Sequence, residues 1–188
     1  MIKLIAALLG ATALLVAGPA YAEGTARAKG KIAAAAPAAS SDQIAFATGC
    51  AIGGMVGHAA INVSAADANT ATFGVAADCL MVITGSKLAI GVMGDVVVPG
   101  SDLKSLGTNP PDYSWFVGFR GGLLVSDSFL VYALAGRTDW DGADKGMTYG
   151  LGAETLITKH ISIKGEVRRV DMGDADATEL RLGANWRF

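Results

Sequence analysis

The last eight residues, 181-RLGANWRF-188, end the chain on an aromatic side chain. The final residues of soluble domains are usually frayed and gain little from being apolar. Side chains alternate along a strand, so one face of this stretch carries Leu182, Ala184, Trp186 and Phe188, and the other carries Arg181, Asn185 and Arg187. The alternation predicts a strand, but it does not decide whether the apolar face meets a protein core or lipid.

The first 22 residues have the pattern of a secretory signal peptide. One cation, Lys3, precedes a charge-free run over 4–17, and the small-residue stretch Ala20-Tyr21-Ala22 follows. We expect cleavage before Glu23 and export from the cytoplasm. A retained anchor is the alternative, but the apolar run is short for a bilayer span and no cationic stop-transfer cluster follows it.

Composition narrows the class of the exported part. The chain has 15 Lys plus Arg against 17 Asp plus Glu, so no basic excess favours nucleic acid as a partner. Residues 23–42 are rich in Ala, Pro and Ser, and we predict a flexible periplasmic leader, with a short Ala-rich helix as the alternative. The apolar stretch 44–63 is interrupted by Gly, Asn and His, which argues against a membrane helix.

From residue 43 onward the sequence divides into eight strand-like runs. The predicted strands are Ala45 to Val63, Ala71 to Val82, Leu88 to Val97, Tyr113 to Leu124, Phe129 to Thr138, Met147 to Ile157, Ile161 to Val170 and Thr178 to Phe188. Most have the length of a tilted strand that crosses a bilayer. The first is longer, so part of it is expected beyond the membrane or bent at Gly53-Gly54.

The connections alternate in length. Short turns follow the second, fourth and sixth runs, and longer, polar, mostly acidic loops follow the others. This layout and the even number of strands predict an all-β, eight-stranded antiparallel up-and-down transmembrane β-barrel over residues 43–188. A soluble lipocalin-like barrel is the alternative.

The faces of the strands favour lipid on the outside. The bulky apolar residues of each run share one face, to which we assign Leu130, Tyr132 and Leu134 of the fifth run. The opposite face has glycines and the mid-strand charges, and we predict a salt-bridged lumen network of Asp78, Asp95, Arg120, Arg137, Glu154, Lys164, Glu166, Arg168 and Arg181.

The terminal stretch also carries a family resemblance. Arg181, Gly183, Trp186 and Phe188 match the C-terminal signal of Gram-negative outer-membrane proteins: a polar residue, Gly two positions later, an aromatic or apolar residue and a terminal aromatic. Residues 43–188 resemble the small porin-like, opacity and outer-membrane-protein-A-like eight-stranded barrels, in particular the Gly-rich immunogenic surface proteins of alphaproteobacteria. The resemblance implies a place in the bacterial outer membrane after signal-peptide removal. It also implies contact with outer-membrane lipid and lipopolysaccharide, recognition of the last strand by the barrel-assembly machinery, and loops that meet host or cell-surface ligands.

Function is less determined than fold. Eight strands enclose a lumen just wide enough for side chains, so we expect a plugged, non-enzymatic barrel that serves envelope structure and surface interaction through its acidic loops, with no cofactor, metal site or catalytic residue. One alternative is a narrow ion or small-solute channel. Another is a lipid A-modifying barrel enzyme, since His160-Ile161-Ser162 with Glu166 resembles the His-x-Ser pair of eight-stranded lipid A deacylases.

Two cysteines fall on the first two predicted strands. Our alternation places Cys50 and Cys79 on the lipid face, and their antiparallel pairing would centre the hairpin near Ser64. Exported chains commonly form disulfides. The sequence is compatible with two alternatives, a Cys50–Cys79 disulfide or two unpaired cysteines that face lipid as small apolar residues.

The terminal aromatic gives a direct test. Deleting Phe188 should lower the amount of barrel in the outer membrane and increase its degradation in the periplasm, while export across the inner membrane continues, because the last strand loses its interfacial ring. Cell fractionation compares the deletion with the full-length protein. Equal outer-membrane yields would contradict the assembly-signal hypothesis.

Overall fold

The computed structural model describes residues 44–63, 66–100, 112–140, 145–173 and 175–188. These residues form eight strands: β1 (Gly49–Val63), β2 (Ala66–Val82), β3 (Leu88–Pro99), β4 (Ser114–Ser126), β5 (Phe129–Trp140), β6 (Lys145–Leu156), β7 (Ile161–Asp171) and β8 (Ala175–Arg187). Within the described ranges, no helix is long and apolar enough to cross a membrane.

Each strand pairs antiparallel with the next, and β8 closes the sheet against β1 to form a barrel. The closing pair runs from Ala51↔Arg187 to Val63↔Ala175. Closure satisfies the backbone groups that an open edge would leave bare in hydrocarbon. The predicted eight-stranded antiparallel up-and-down barrel is confirmed.

The two ends of the barrel differ, and we name them by their connections. The turn end carries the three short turns, the start of β1 and the end of β8, and the loop end carries the other four connections. In the β2–β3 turn, Gly85 adopts a positive φ of 76°, a conformation that favours glycine.

The N-terminal boundary differs from the prediction. β1 begins at Gly49 rather than at Ala45 and continues through Gly53 and Gly54. The residues before it enter the mouth of the turn end, where the Phe46 side chain is only 7% exposed and its N–H donates to the Asp127 carbonyl at 2.7 Å. The predicted signal peptide (1–22) and leader (23–42) lie outside the described residues.

Side-chain exposure follows the prediction: apolar side chains face outward and charged side chains face inward, the reverse of a soluble barrel. Large apolar side chains face outward, for example Phe119 (72% exposed), Leu151 (68%) and Leu182 (58%), whereas Arg168 and Glu154 are buried inside. The predicted outward faces of β2, β3, β4, β6, β7 and β8 are confirmed.

The inward and outward faces of β5 are exchanged relative to the prediction. Leu130, Tyr132 and Leu134 are buried inside the barrel, and Arg137 is exposed on the outer face. The reason is a register shift: the β4–β5 pairing passes from Ser126↔Phe129 to Leu124↔Leu130, so one residue of β4 bulges out. A one-residue shift exchanges the two faces of a strand.

Glycines on the inner face leave room for large lumen side chains. A Cβ on Gly118 would lie 2.5 Å from the Phe116 ring, and a Cβ on Gly152 would lie 2.5 Å from the Tyr132 ring. In contrast, a Cβ on Gly121 would meet nothing within 4 Å. The inner glycines are therefore part of the packing of the lumen.

We predict that Gly118→Ala lowers barrel stability by about 1–3 kcal/mol, because the added methyl group overpacks the lumen against Phe116. Gly121→Ala, three residues along the same strand, is the matched control and should have almost no effect. Urea unfolding in detergent measures both midpoints. Equal midpoints for the two variants would contradict the packing described here.

Candidate functional site

The lumen is filled by a network of ionic side chains. Ten charged residues are buried inside the described part of the barrel, five cationic and five anionic, so that their formal charges cancel: Asp78, Asp95, Arg120, Glu154, Lys164, Glu166, Arg168, Glu179, Arg181 and Arg187. Each contributes to at least one ion pair.

Four of these residues form a cluster toward the turn end. The Arg120 guanidinium donates to Asp78 Oδ1 at 2.5 Å and to Glu154 Oε2 at 2.8 Å. Arg187 donates to the other Glu154 oxygen at 3.1 Å. Ser162 Oγ also donates to that oxygen, at 2.6 Å. Strands that are distant in sequence are thus joined across the lumen.

A second cluster lies toward the loop end. Arg168 pairs with Glu166 at 2.6 Å and with Asp95 at 2.8 Å. Arg181 pairs with Asp95 at 2.9 Å and with Glu179 at 2.6 Å. The Tyr132 hydroxyl donates to Glu166 at 2.7 Å. Asp95 and Glu166 are each shared between donors, which compensates for part of the cost of burying them.

Lys164 connects the two clusters. Its Nζ lies 3.6 Å from Glu166 Oε1 and 4.0 Å from Asp78 Oδ2. The ion pairs therefore run as one alternating chain from Arg187 to Glu179 along the length of the lumen. The two Lys164 contacts are the longest links in this chain, and Arg187 also lies 3.9 Å from Asp78 Oδ1.

Aromatic rings lie next to the guanidinium groups of three lumen arginines. The guanidinium carbon of Arg168 lies 4.5 Å from the centre of the Phe116 ring, and that of Arg120 lies 5.2 Å from the Tyr132 ring. Arg187 lies 5.1 Å from the Phe46 ring at the turn end. Ring faces attract guanidinium groups electrostatically.

Apolar side chains lie around and beyond the charges at both ends. Phe46 packs with Leu80, Leu130 and Leu156 on the turn side, and Ile61, Trp140 and Val170 pack together on the loop side. Thr72, Trp140 and Glu179 border a cavity of about 10 Å³, room for about one water molecule. The lumen is packed with side chains.

The structure brings together eight of the nine residues predicted for the lumen network and excludes Arg137. The predicted assignment of Arg137 to the lumen is wrong, because the β4 bulge turns it outward. Sequence reasoning also left Glu179, Arg187, Tyr132 and Ser162 out of the network. Alternation did place Glu179 and Arg187 on the face of Arg181, although neither was included in the predicted network, whereas nothing in the sequence identifies Tyr132 as an inner residue.

The two cysteines pair directly across β1 and β2 and are joined by a disulfide. They follow the outward alternation of these strands, as predicted. The Cys50 N–H donates to the Phe188 carbonyl at 3.1 Å, and the Phe188 N–H donates back to Cys50 at 2.9 Å. The disulfide therefore adjoins the seam at which the last residue closes the barrel.

The residues of the C-terminal pattern divide between the faces. Trp186 (54% exposed) and Phe188 (73%) face outward at the turn end, whereas Arg181 is buried in the network. A Cβ on Gly183 would lie 3.3 Å from Cε of Lys164, so this glycine gives the lysine side chain room.

His160 and Ser162 do not form a catalytic pair in this structure. The His160 ring stacks on Trp186 with centroids 5.3 Å apart, and its Nδ1 lies 3.1 Å from the Arg187 carbonyl oxygen, so Nδ1 donates. The Ser162 side chain is buried in the lumen and donates to Glu154. The histidine is therefore not the proton acceptor of this serine.

The acidic loops are only partly described. Asp139 pairs with Lys145 at 3.1 Å, and Asp176 pairs with Arg169 at 2.5 Å. Asp141, Asp144 and Asp174 lie outside the described residues. Asp139 and Asp176 thus have cationic partners on the same surface, whereas Asp171 accepts from the Gly173 N–H at 3.1 Å.

Comparison with known proteins identifies the family. The model of the outer membrane protein β-barrel domain matches residues 6–188. The chain belongs to this family. It therefore lies in the outer membrane of a Gram-negative bacterium, in contact with the lipid bilayer, and its turn end corresponds to the periplasmic side of such barrels. No curated protein matches the sequence.

Solved structures support the same fold at low sequence identity. Ail, the attachment invasion locus protein of Yersinia pestis, solved with the heparin analogue sucrose octasulfate, superposes with a TM-score of 0.54 at 11% identity, covering 76% of this chain and 100% of Ail. Neisserial surface protein A has a TM-score of 0.51 at 15% identity, covering 76% and 99%. At these identities the likeness concerns the fold alone.

We predict that Arg120→Leu destabilises the barrel by about 3–5 kcal/mol, because Asp78 and Glu154 lose a partner that they share inside the lumen. Arg169→Leu is the control, since its ion pair with Asp176 is half exposed and should be worth no more than about 1 kcal/mol. Urea unfolding in detergent compares them. An Arg120→Leu midpoint equal to that of the unmutated protein would mean that Arg120 is dispensable in the network.

Proposed function

We propose that this barrel is a non-enzymatic structural protein of the outer membrane, with a plugged lumen and a surface that interacts through its loops. The observation that carries the proposal is the neutral chain of ion pairs through the described lumen, from Arg187 to Glu179. A filled and charge-balanced lumen supports a rigid scaffold better than a conduction path, because the ten buried charges of the described residues already form ion pairs with one another.

The alternative channel function requires an open or selective path. A path for ions needs either water or a ring of one charge. Here the cations and anions alternate, and apolar clusters that include Phe46 and Trp140 adjoin the network on its two sides. These features favour the plugged state over the narrow channel.

The enzymatic alternative requires a base next to the nucleophile. His160 donates to a backbone carbonyl, and Ser162 donates to Glu154, so neither side chain is placed for acyl transfer to the serine. This arrangement supports a role for Ser162 in lumen packing.

Surface partners enter the proposal through the loops. We expect host or cell-surface ligands at the loop end, lipopolysaccharide around the outer rim, and the barrel-assembly machinery at the last strand. Ail was solved with a sulfated heparin analogue, which fits a surface role for a barrel of this shape. The connecting loops of this chain are acidic in sequence, so we expect its ligand to be less anionic than heparin.

The plugged state has a direct electrical test. The purified barrel, inserted into planar bilayers, should give no sustained current steps, because the paired charges and apolar clusters fill the lumen. A general porin inserted under the same conditions is the positive control, and a heat-modifiability gel confirms that the inserted protein is folded. Reproducible ohmic steps from folded protein would replace the proposal with the channel alternative.

The enzymatic alternative is tested separately. Mass spectra of lipid A from cells with and without the gene should be identical, because the proposed barrel does not modify lipid. The non-enzymatic proposal would be contradicted if lipid A changed in mass when the gene was deleted, and if the unmutated gene but not the Ser162→Ala variant restored the original mass.

A further inference from the structure

Among the side chains that the structure describes, the charged ones on the outer face of the strands lie in one half of the barrel. The described outward-facing charges of the strands all lie on β5 to β8, close to the loop end: Arg137, Asp139, Lys145, Arg169, Asp171 and Asp176. On β1 to β4, no outward-facing side chain that the structure describes is charged.

Most of these charges are paired on the surface. Lys145 pairs with Asp139 at 3.1 Å, and Arg169 pairs with Asp176 at 2.5 Å. Arg137 has no hydrogen bond or ion pair with any other described residue. Its direct neighbours across the sheet are Val117 and Met147, which are 59% and 61% exposed on the outer face. A guanidinium with no partner among the described residues thus lies between two lipid-facing apolar side chains.

The depth of Arg137 can be derived from strand geometry. Eight residues of a strand tilted by about 40° place it about 20 Å above Phe129 at the turn end, in an apolar band about 25 Å tall. Arg137 therefore lies near the boundary between hydrocarbon and headgroups of the outer leaflet. A long cationic side chain at this depth extends its charged group toward the headgroups.

Other donors lie close by on the next two strands. Met147, the neighbour of Arg137, is two residues from Tyr149, which pairs directly with Arg169 on β7. Strands β5 and β7 are about 10 Å apart. The guanidinium groups of Arg137 and Arg169 can therefore reach the same lipid headgroup above β6. The exposed Arg169–Asp176 ion pair is weak, so Arg169 can also bind a lipid headgroup.

We propose that Arg137, Tyr149 and Arg169 form a binding site for a phosphate group of the anionic glycolipid of the outer leaflet. Phosphate matches the guanidinium fork and can accept from both arginines. The apolar neighbours Val117 and Met147 would contact the acyl chains of the same lipid. The inference deepens the lipopolysaccharide contact in the proposed function by giving it a site and a ligand group.

The test measures lipid retained by the folded protein in a nonionic maltoside detergent. Diphosphoryl lipid A is titrated, and native mass spectrometry gives the lipid-bound fraction. Arg137→Gln should weaken binding about tenfold, as expected for the loss of a charge-assisted contact. Arg137→Lys should lie between this variant and the unmutated protein, because it retains the charge and loses the fork. Lys87→Gln, at the turn end, is the matched control and should bind normally.

Several results would overturn the proposal. They are equal affinity for Arg137→Gln and the unmutated protein, an equal loss for Lys87→Gln, and equal binding of a neutral lipid that lacks an exposed anionic phosphate. Free inorganic phosphate that competes at a concentration equal to that of lipid A would show that the site binds the anion and not the lipid. Each of these readouts is independent of the bilayer current, so the lipid site and the plugged lumen succeed or fail separately.

Discussion

The structure depends on one constraint: hydrocarbon cannot hydrogen-bond to a bare backbone group. All eight strands must therefore be paired on both sides, and the pairing of β1 with β8 provides the last partners. Closure in turn fixes which side chains meet lipid. The apolar residues face outward and the charges are enclosed in a lumen too narrow for bulk water. The lumen charges must then compensate one another, and among the described residues they pair as an alternating chain of five cations and five anions.

The same chain of ion pairs joins strands that are not adjacent in the sheet and so share no backbone hydrogen bonds. Arg120 of β4 meets Asp78 of β2 and Glu154 of β6, and Arg181 of β8 meets Asp95 of β3. Such contacts cross the lumen rather than follow the hydrogen-bonded ladder. Removing one charge leaves its partners buried and unpaired, and this makes the network costly to interrupt. The glycines beside the large side chains are part of this arrangement, because a Cβ on Gly150 would lie 3.1 Å from Cγ of Arg168.

Most of the fold could be predicted from residue pattern. The alternation along the last strand, the eight runs and the short turns sufficed for the barrel, and Cys50 and Cys79 fell in direct register. The fifth strand could not be predicted, because both of its faces are apolar and only the β4 bulge decides between them. The inward placement of Tyr132 depends on the absence of a side chain at Gly152, which is distant in sequence. The entry of Phe46 into the turn end likewise has no local signal.

The central claim is that the barrel is inverted, with a filled lumen inside an apolar outer face, and methyl NMR in lipid nanodiscs tests it most directly. A spin label carried on the lipid acyl chains should broaden the methyl signals of Leu151 and Leu182, which face outward. The methyl signals of Leu130 and Leu134 should remain sharp, because both side chains are buried in the lumen. Equal broadening of all four leucines would contradict the inverted arrangement and the register that the β4 bulge sets.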